Sequence, residues 1–160
     1  QIDGIQYVAI LAGTGGGDLF GGESPNIASV KYGNRGKLLV FKLGGEAVLP
    51  RPTVVDRRIP EQPNLQASKE DIARGERLFH ETCAVCHGLL VRAGGVVPDL
   101  RLMPSGKPDL FKEIVLDGII AANGMASFAA LVDAGDVNRI HVYVVSRSNE
   151  DRLAAEDATG

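Results

Sequence analysis

The residues of this chain best suited to do chemistry lie together in the pentapeptide Cys83-Ala84-Val85-Cys86-His87, which holds both cysteines of the sequence. The pattern Cys-x-x-Cys-His is an attachment signature of c-type haem. Two thiols one helical turn apart can each add to a vinyl group of the same porphyrin, and the adjacent imidazole then points at the iron. The motif therefore predicts a covalent haem held by Cys83 and Cys86, with His87 as an axial ligand.

Three other uses of these cysteines compete with haem attachment. A structural zinc site needs about four nitrogen or sulfur ligands, but the only other Cys or His residues are His80 and His141. A thioredoxin-like dithiol requires a βαβ setting, which the sequence pattern lacks. A disulfide is open to these two cysteines, but it leaves His87 without a role. Covalent haem is thus the interpretation that uses all three residues.

The face of the iron opposite His87 either takes a sixth ligand or stays open. The chain contains two methionines, Met103 and Met125. Met125 lies in an irregular stretch between two predicted helices, where a loop can come round to the haem, whereas Met103 lies in the loop after His87 and is expected in the core or a pocket wall. We predict Met125 as the sixth ligand. Ligation by His80 or His141, or an open site, are the alternatives.

Three further residues are candidates for contacts around the haem. The Pro98 carbonyl can accept a hydrogen bond from His87 and so orient the imidazole, although an ordinary turn proline explains this position equally well. Arg101 and Arg92 can donate charge-assisted hydrogen bonds to haem propionates, although arginines are more often solvated. We place Pro98 and Arg101 with the haem-binding residues as expectations.

The elements that position the motif are predicted to be helical. Ser68 is a suitable N-cap, and the apolar residues that follow it share one helical face leading into the motif. A second helix is predicted over residues 108–117 with Gly118 at its end. A third begins around Ala134 and carries Val137, Ile140 and Val144 on one apolar stripe. The segment 88–107 is rich in Gly and Pro, which indicates a loop.

The rest of the chain divides into segments that differ in composition and sequence pattern. Residues 5–12 and 37–43 are apolar runs typical of strands, joined by a Gly-rich connection over residues 13–36 that is expected to be a long surface loop. Prolines then dominate a stretch that favours an extended path. We therefore predict a β segment at 1–45, a linker at 46–67, a helical domain at 68–150 and a frayed polar tail at 151–160.

Composition limits the function classes. The sequence has 17 Lys and Arg against 20 Asp and Glu, with a formal net charge of −3, so it lacks the excess of cations that nucleic-acid binding requires. Uninterrupted apolar stretches are too short for a transmembrane segment. We expect neither nucleic-acid binding nor a membrane span.

Together these residues resemble a class I cytochrome c over about residues 68–150. In that family, Gly75 and Phe79 face the helix of Tyr143 in a tight crossing. A narrower resemblance is to the cytochrome domain at the C-terminus of quinohaemoprotein alcohol dehydrogenases, which contain pyrroloquinoline quinone (PQQ). It is carried by the runs 98–101, 114–118 and 124–128. The first 45 residues resemble the last strands of the β-propeller in those enzymes, although the many tryptophans of the family's propellers are missing here.

The resemblance implies a mostly α fold, the class I cytochrome c arrangement around covalent haem, preceded by a short β segment. It implies electron transfer from a PQQ-containing propeller, in the same or a separate chain, to a respiratory acceptor that is a redox protein or a quinone. PQQ and calcium are expected only in the propeller, so this chain should not oxidise an alcohol by itself. The family is periplasmic. The alternative is a haem sensor or gas-binding module with an open sixth site.

Overall fold

The computed structural model of the chain describes residues 1–13, 28–33, 36–94, 97–104 and 108–158. Most of the predicted Gly-rich loop, namely residues 14–27 and 34–35, lies outside the described residues. The described part of that connection contains a short helix, α1 (Ala28–Tyr32), which the sequence analysis did not anticipate.

The N-terminal part forms a two-stranded antiparallel sheet. Strand β1 (Tyr7–Ala12) pairs with β2 (Lys37–Lys42), so that Tyr7 lies opposite Lys42 and Ala12 opposite Lys37. Both strands fall within the apolar runs that predicted them. Every residue of the two strands is exposed or only half-buried, so in the part of the chain that the structure describes the helices leave both faces of the sheet open.

The Pro-rich stretch that follows β2 has no regular secondary structure until α2 (Lys69–Thr82) begins. Its backbone contacts the N-terminal part where the Val55 amide donates to the Lys31 carbonyl of α1 at 2.9 Å. The lack of regular structure agrees with the expectation that prolines keep helices and strands out of this stretch, and its role as a linker stays a prediction.

Helix α2 begins where its capping residue predicts. The Ser68 side chain accepts a hydrogen bond from the Asp71 amide, and Glu70 and Asp71 place negative charge in the first turn. Negative charge at a helix N-terminus is favourable because unpaired amides give that end a partial positive charge. A short helix, α3 (Ala84–His87), follows directly.

The last helix, α5 (Ala134–Asp157), begins at the predicted residue but is longer than predicted. We expected a frayed polar tail from residue 151, and this expectation is wrong for residues 151–157, which are helical. Asp133 caps the helix by accepting from the Asp136 amide at 2.8 Å. Ion pairs stabilise the polar last turns, as when Arg152 contacts Glu156 at 2.8 Å.

Between these helices lie shorter elements. Helix α4 (Pro108–Lys112) continues as a π-helical turn, Glu113–Asp117, and ends at Gly118 in the left-handed conformation. The sequence predicted these bounds as one helix, but not the change to π geometry. The intervening segments contain 3₁₀ turns at Leu89–Val91, Leu100–Leu102 and Ala121–Asn123.

The core forms where α2 crosses α5. Phe79 is fully buried, and its ring lies 5.5 Å from that of Tyr143. A Cβ atom on Gly75 would lie 2.0 Å from the Arg139 carbonyl oxygen, so only glycine permits this approach of the two backbones. The apolar faces predicted for both helices are buried here. Other members of the core are Val91, Val115, Val132, Val137, Ile140 and Val144.

Candidate haem site

The pentapeptide occupies the junction between α2 and α3. The Cys83 amide donates to the Phe79 carbonyl at 2.8 Å and so ends α2, while the Cys83 carbonyl accepts from the amides of Cys86 and His87 at 3.1 and 2.9 Å. These bonds make one helical turn between the two cysteines. The buried Phe79 thus anchors the backbone that carries the motif.

Both cysteines are free, and they differ in environment. Cys83 is half-buried, whereas Cys86 is exposed. Burial raises the pKa of the Cys83 thiol, and the hydrogen bond with the Thr82 hydroxyl at 3.2 Å only partly opposes this. The Cys83 sulfur is therefore protonated at neutral pH, in a shielded position on one side of α3.

His87 is buried and its ring is oriented by the backbone. Its Nδ1 lies 3.0 Å from the Pro98 carbonyl oxygen, and because a carbonyl can only accept, Nδ1 carries the proton and donates. Nε2 is then left unprotonated with a free lone pair. Burial lowers the pKa of His87, although the Pro98 carbonyl and the charge of Asp99 act in the opposite direction. A neutral imidazole with a free Nε2 is the form that ligates iron.

The backbone directly after His87 is held in unusual conformations. Gly88, Leu90 and Val91 all have positive φ, at 76°, 54° and 67°. For a β-branched residue such as Val91, this region costs energy that the surrounding structure must supply. Val91 is fully buried in the core, so packing compensates the strain next to the haem motif.

Arg101 pairs with protein carboxylates. Its Nη2 donates to Asp99 Oδ2 at 2.6 Å, and its Nη1 donates to Asp151 Oδ2 at 2.8 Å. Burial alone would lower the pKa of Arg101, but hydrogen bonds with Asp99 and Asp151 outweigh it and raise the pKa. The propionate contact expected of Arg101 stays a prediction, and the observed contacts give it a role in holding the 97–104 segment.

Asp151 joins three arginines around the C-terminal end of the domain. Besides Arg101, it accepts from Arg92 Nη2 at 3.0 Å and from Arg147 Nη2 at 2.5 Å. Arg92, the other residue considered for a propionate, therefore contacts α5. Sequence reasoning missed Asp151 because it lies in the segment expected to fray. Its pair with Arg147 is local, at i and i+4, but no local pattern marks its contacts with Arg92 and Arg101.

Both methionines contact the hydrophobic core and are partly buried. Met103 ends the 3₁₀ turn Leu100–Leu102, and its carbonyl accepts from Gln62 Nε2 at 2.6 Å. Met125 follows Gly124, whose φ of 97° makes a sharp turn. The backbone beyond Met125 is fixed by the Phe128 amide, which donates to the Val115 carbonyl at 2.8 Å.

The two remaining histidines have other surroundings. His80 is exposed on α2, with its ring edge-on to those of Phe79 and Tyr143. His141 is buried in α5, and its ring stacks on Phe111 at 4.7 Å. Each ring is thus engaged with aromatic neighbours.

The donor set suits a c-type haem. The two free thiols one helical turn apart match the spacing that thioether attachment needs, and among the residues that the structure describes the adjacent imidazole forms its hydrogen bond through Nδ1 alone. Cys83, Cys86 and His87 would hold the group, and the Pro98 carbonyl fixes the ring orientation.

Comparisons with known proteins agree with this site. A family model described as cytochrome c oxidase, cbb3-type, subunit III matches residues 70–144. Quinohaemoprotein alcohol dehydrogenase ADH IIB of Pseudomonas putida is 40% identical over 99% of this chain and 23% of its own. The dehydrogenase subunit of the quinone-type alcohol dehydrogenase of Komagataeibacter europaeus is 30% identical over 98% of this chain and 21% of its own.

Solved structures of quinohaemoprotein alcohol dehydrogenases are also similar to this chain. The quinohaemoprotein alcohol dehydrogenase ADHIIG of Pseudomonas putida HK5 superposes with a TM-score of 0.80 and 33% identity, covering 96% of this chain and 22% of that one. The enzyme of Comamonas testosteroni, at 22% identity and a TM-score of 0.68, shows the fold. This chain spans under a quarter of the length of these relatives. Residues 70–144 are therefore a cytochrome c domain, and the chain is homologous over nearly its whole length to the C-terminal region of quinohaemoprotein alcohol dehydrogenases.

Proposed function

We propose that this domain accepts electrons from a PQQ-containing alcohol dehydrogenase domain and passes them to a respiratory acceptor, a redox protein or a quinone. The observation that carries the proposal is the 40% identity to a quinohaemoprotein alcohol dehydrogenase over nearly the whole chain. The sensor or gas-binding alternative is not favoured, because the matched relatives are named as dehydrogenases.

In this proposal Cys83 and Cys86 would hold the haem covalently, and His87 and Met125 would ligate its iron. The bound haem would supply a one-electron couple, and ligation by histidine together with a thioether would raise its reduction potential. The protein's own part is to keep Nδ1 of His87 protonated through the Pro98 carbonyl, at 3.0 Å, so that Nε2 remains the ligating atom.

The position of Pro98 also supports Met125 over Met103. The 97–104 segment contacts Nδ1 of His87 and so lies on the side of the ring away from Nε2, the nitrogen that would ligate iron. Met103 belongs to that segment and is tied to it by the hydrogen bond that the Leu100 carbonyl accepts from the Met103 amide, at 3.1 Å. A second ligand to the iron would have to come from a different segment, and the loop of Met125 is separate from this one.

The exposed sheet supports the proposed partner. One face of the β1–β2 pair carries Val8, Ile10 and Phe41, and the other carries Leu11 and Val40, all exposed. Apolar side chains on both faces are typical of strands covered on both sides by further polypeptide. We propose that these strands complete the β-propeller of a dehydrogenase, and that PQQ and calcium are bound there.

No helix in the described ranges is long and apolar enough to cross a membrane. We propose the periplasm as the location, because c-type thioether attachment takes place outside the cytoplasm and the resemblance to the dehydrogenase family implies it.

The haem proposal is tested by two observations on the purified chain. A haem stain after denaturing electrophoresis should be positive, because only covalent haem survives that step. The ferric spectrum should then show the weak red absorbance band of iron–thioether ligation. Met125→Ala should abolish this band, and the matched variant Met103→Ala should keep it. The reverse result would reassign the ligand, and a colourless protein with two alkylatable thiols would overturn the proposal.

The electron donor is tested separately. The haem-loaded chain should be reduced when alcohol is added together with a PQQ-loaded dehydrogenase propeller from a relative, and not when either is omitted. A haem that stays oxidised with every active propeller and alcohol pair would remove the proposed donor while leaving the cytochrome assignment intact.

A further inference from the structure

Within the described residues, the linker side chains that donate hydrogen bonds to the cytochrome domain are those of Arg57 and Gln62. Arg57 Nη2 donates to the Ala93 carbonyl and to Asp99 Oδ2, both at 3.0 Å. Gln62 Nε2 donates to the Met103 carbonyl at 2.6 Å. Both anchors therefore end on the stretch of chain that includes Pro98, the residue whose carbonyl orients His87.

Asp99 is the acceptor that connects this linker to the haem site. Its side chain is only 2% exposed, and it accepts hydrogen bonds from Arg57 and Arg101. A carboxylate removed from water is tolerated when cations compensate it, since desolvation costs several kcal/mol. Asp99 directly follows Pro98, and its negative charge acts on the imidazole of His87.

We propose that Arg57 is a positioning residue for haem ligation: through Asp99 it holds the Pro98 carbonyl against His87 and balances the negative charge beside that ligand. The inference rests on the His87 ligation proposed above. Uncompensated negative charge near the iron favours Fe(III) over Fe(II) by Coulomb attraction. Arg57 therefore raises the reduction potential of the haem. This effect requires that the linker stay bound to the cytochrome domain through Arg57.

The chain offers a matched control in the next residue. Arg58 is also a linker arginine, but its side chain is 90% exposed and pairs with Asp56, which is exposed as well. Removing an exposed charge has little effect at a distance because solvent and salt screen it. Arg57→Gln and Arg58→Gln therefore each remove one positive charge. Arg57→Gln removes it from a largely buried position, and Arg58→Gln removes it from an exposed one.

The test is a spectroelectrochemical titration of the haem-loaded full chain. R57Q should lower the midpoint potential relative to wild type, R58Q should leave it unchanged, and R57K should restore most of the loss because it keeps the charge. Equal midpoint potentials in R57Q and R58Q would overturn the inference. The proposed function would still stand in that case, provided that the wild-type chain binds haem covalently.

A second variant covers the case in which R57Q does not take up haem. Asp99→Asn removes the negative charge and leaves Arg57 its bond to the Ala93 carbonyl, so the potential should rise. An unchanged potential in D99N would overturn the inference. A wild-type chain without covalent haem would instead overturn the proposed function, and this inference with it.

Discussion

The α2–α5 crossing and the β1–β2 sheet use similar apolar residues in opposite ways. In the crossing, Phe79 is fully buried against Tyr143 and the backbones meet at Gly75. In the sheet, Phe41 is 52% exposed although it is paired across the strands with Val8. The helical part thus buries its apolar side chains against one another, whereas the sheet exposes its apolar side chains to solvent.

The difference shows which part of the chain specifies its own structure. A two-stranded sheet alone is marginal in water, whereas the helix pair buries a continuous core. We expect the cytochrome domain to set the measured stability, and the sheet to contribute through association with further polypeptide. Substitutions in the two regions should therefore differ sharply.

The largest contrast is expected between the two phenylalanines. Phe79→Ala should destabilise the haem-loaded chain by about 3–5 kcal/mol, because it leaves a cavity in the core. Phe41→Ala should change stability by less than about 0.5 kcal/mol, since its ring is half exposed. Urea unfolding followed by haem absorbance measures both. Equal losses would show that the sheet is part of the same cooperative core.

A second contrast uses glycines. Gly75→Ala should cost about 3 kcal/mol, because the new methyl group meets the Arg139 carbonyl oxygen and the helices must separate. Gly36→Ala, where a Cβ meets nothing closer than 3.9 Å, should leave stability nearly unchanged. Thermal melting compares the two variants. A neutral G75A would mean that the helices cross less closely than described.

The third prediction concerns acid stability of the helical part. Burial alone would raise the pKa of Asp151, but hydrogen bonds from Arg92 and Arg101 outweigh it and lower the pKa. Since the folded pKa lies below the unfolded one, this carboxylate stabilises the fold above about pH 4, and its contribution is lost as pH falls through the folded pKa.

Asp151→Asn should therefore cost about 1.5–3 kcal/mol at pH 7 and lose less on acidification than wild type. Urea unfolding at pH 7 and at lower pH measures this. The control is Glu150→Gln, whose more exposed carboxylate should contribute less than about 1 kcal/mol. Parallel pH profiles for wild type and D151N would contradict the prediction.

The smallest effect on stability is expected at the sheet surface. Ile10→Lys should leave the melting temperature of the cytochrome domain unchanged, because the side chain is half exposed. The exposed apolar faces of the sheet predict concentration-dependent self-association of the isolated chain, and Ile10→Lys should weaken it because a charge on an apolar strand opposes edge-to-edge pairing. Sedimentation velocity at several concentrations measures this. A wild-type chain that is monomeric throughout would show that its sheet does not self-associate.

Local signals predicted much of the fold. The Ser68 cap, the apolar faces of α2 and α5 and the left-handed Gly118 each depend on neighbouring residues, and the structure confirms these elements. The Cys-x-x-Cys-His spacing identified the family, which the comparisons confirm. The contact between His87 and Pro98 was anticipated because a ligating imidazole needs a second partner.

Long-range ion pairs could not be predicted in the same way. Arg57 and Asp99 are 42 residues apart, and Arg92 and Asp151 are 59 apart. No periodicity links such positions. In the sequence, an arginine that pairs with a distant carboxylate therefore cannot be distinguished from an arginine that is solvated. The polar end of α5 was misjudged partly for the same reason, since two of the arginines that contact Asp151 lie elsewhere in the chain, in addition to local pairs such as Arg152 with Glu156.

The length of α5 has a practical consequence for anyone trimming this module. A truncation placed after residue 150, where the sequence turns polar, would delete Asp151 and leave the guanidinium groups of Arg92 and Arg101 without that shared acceptor. Shortened versions intended as minimal electron carriers should therefore retain the final helical turns, although these contribute little to the apolar interior.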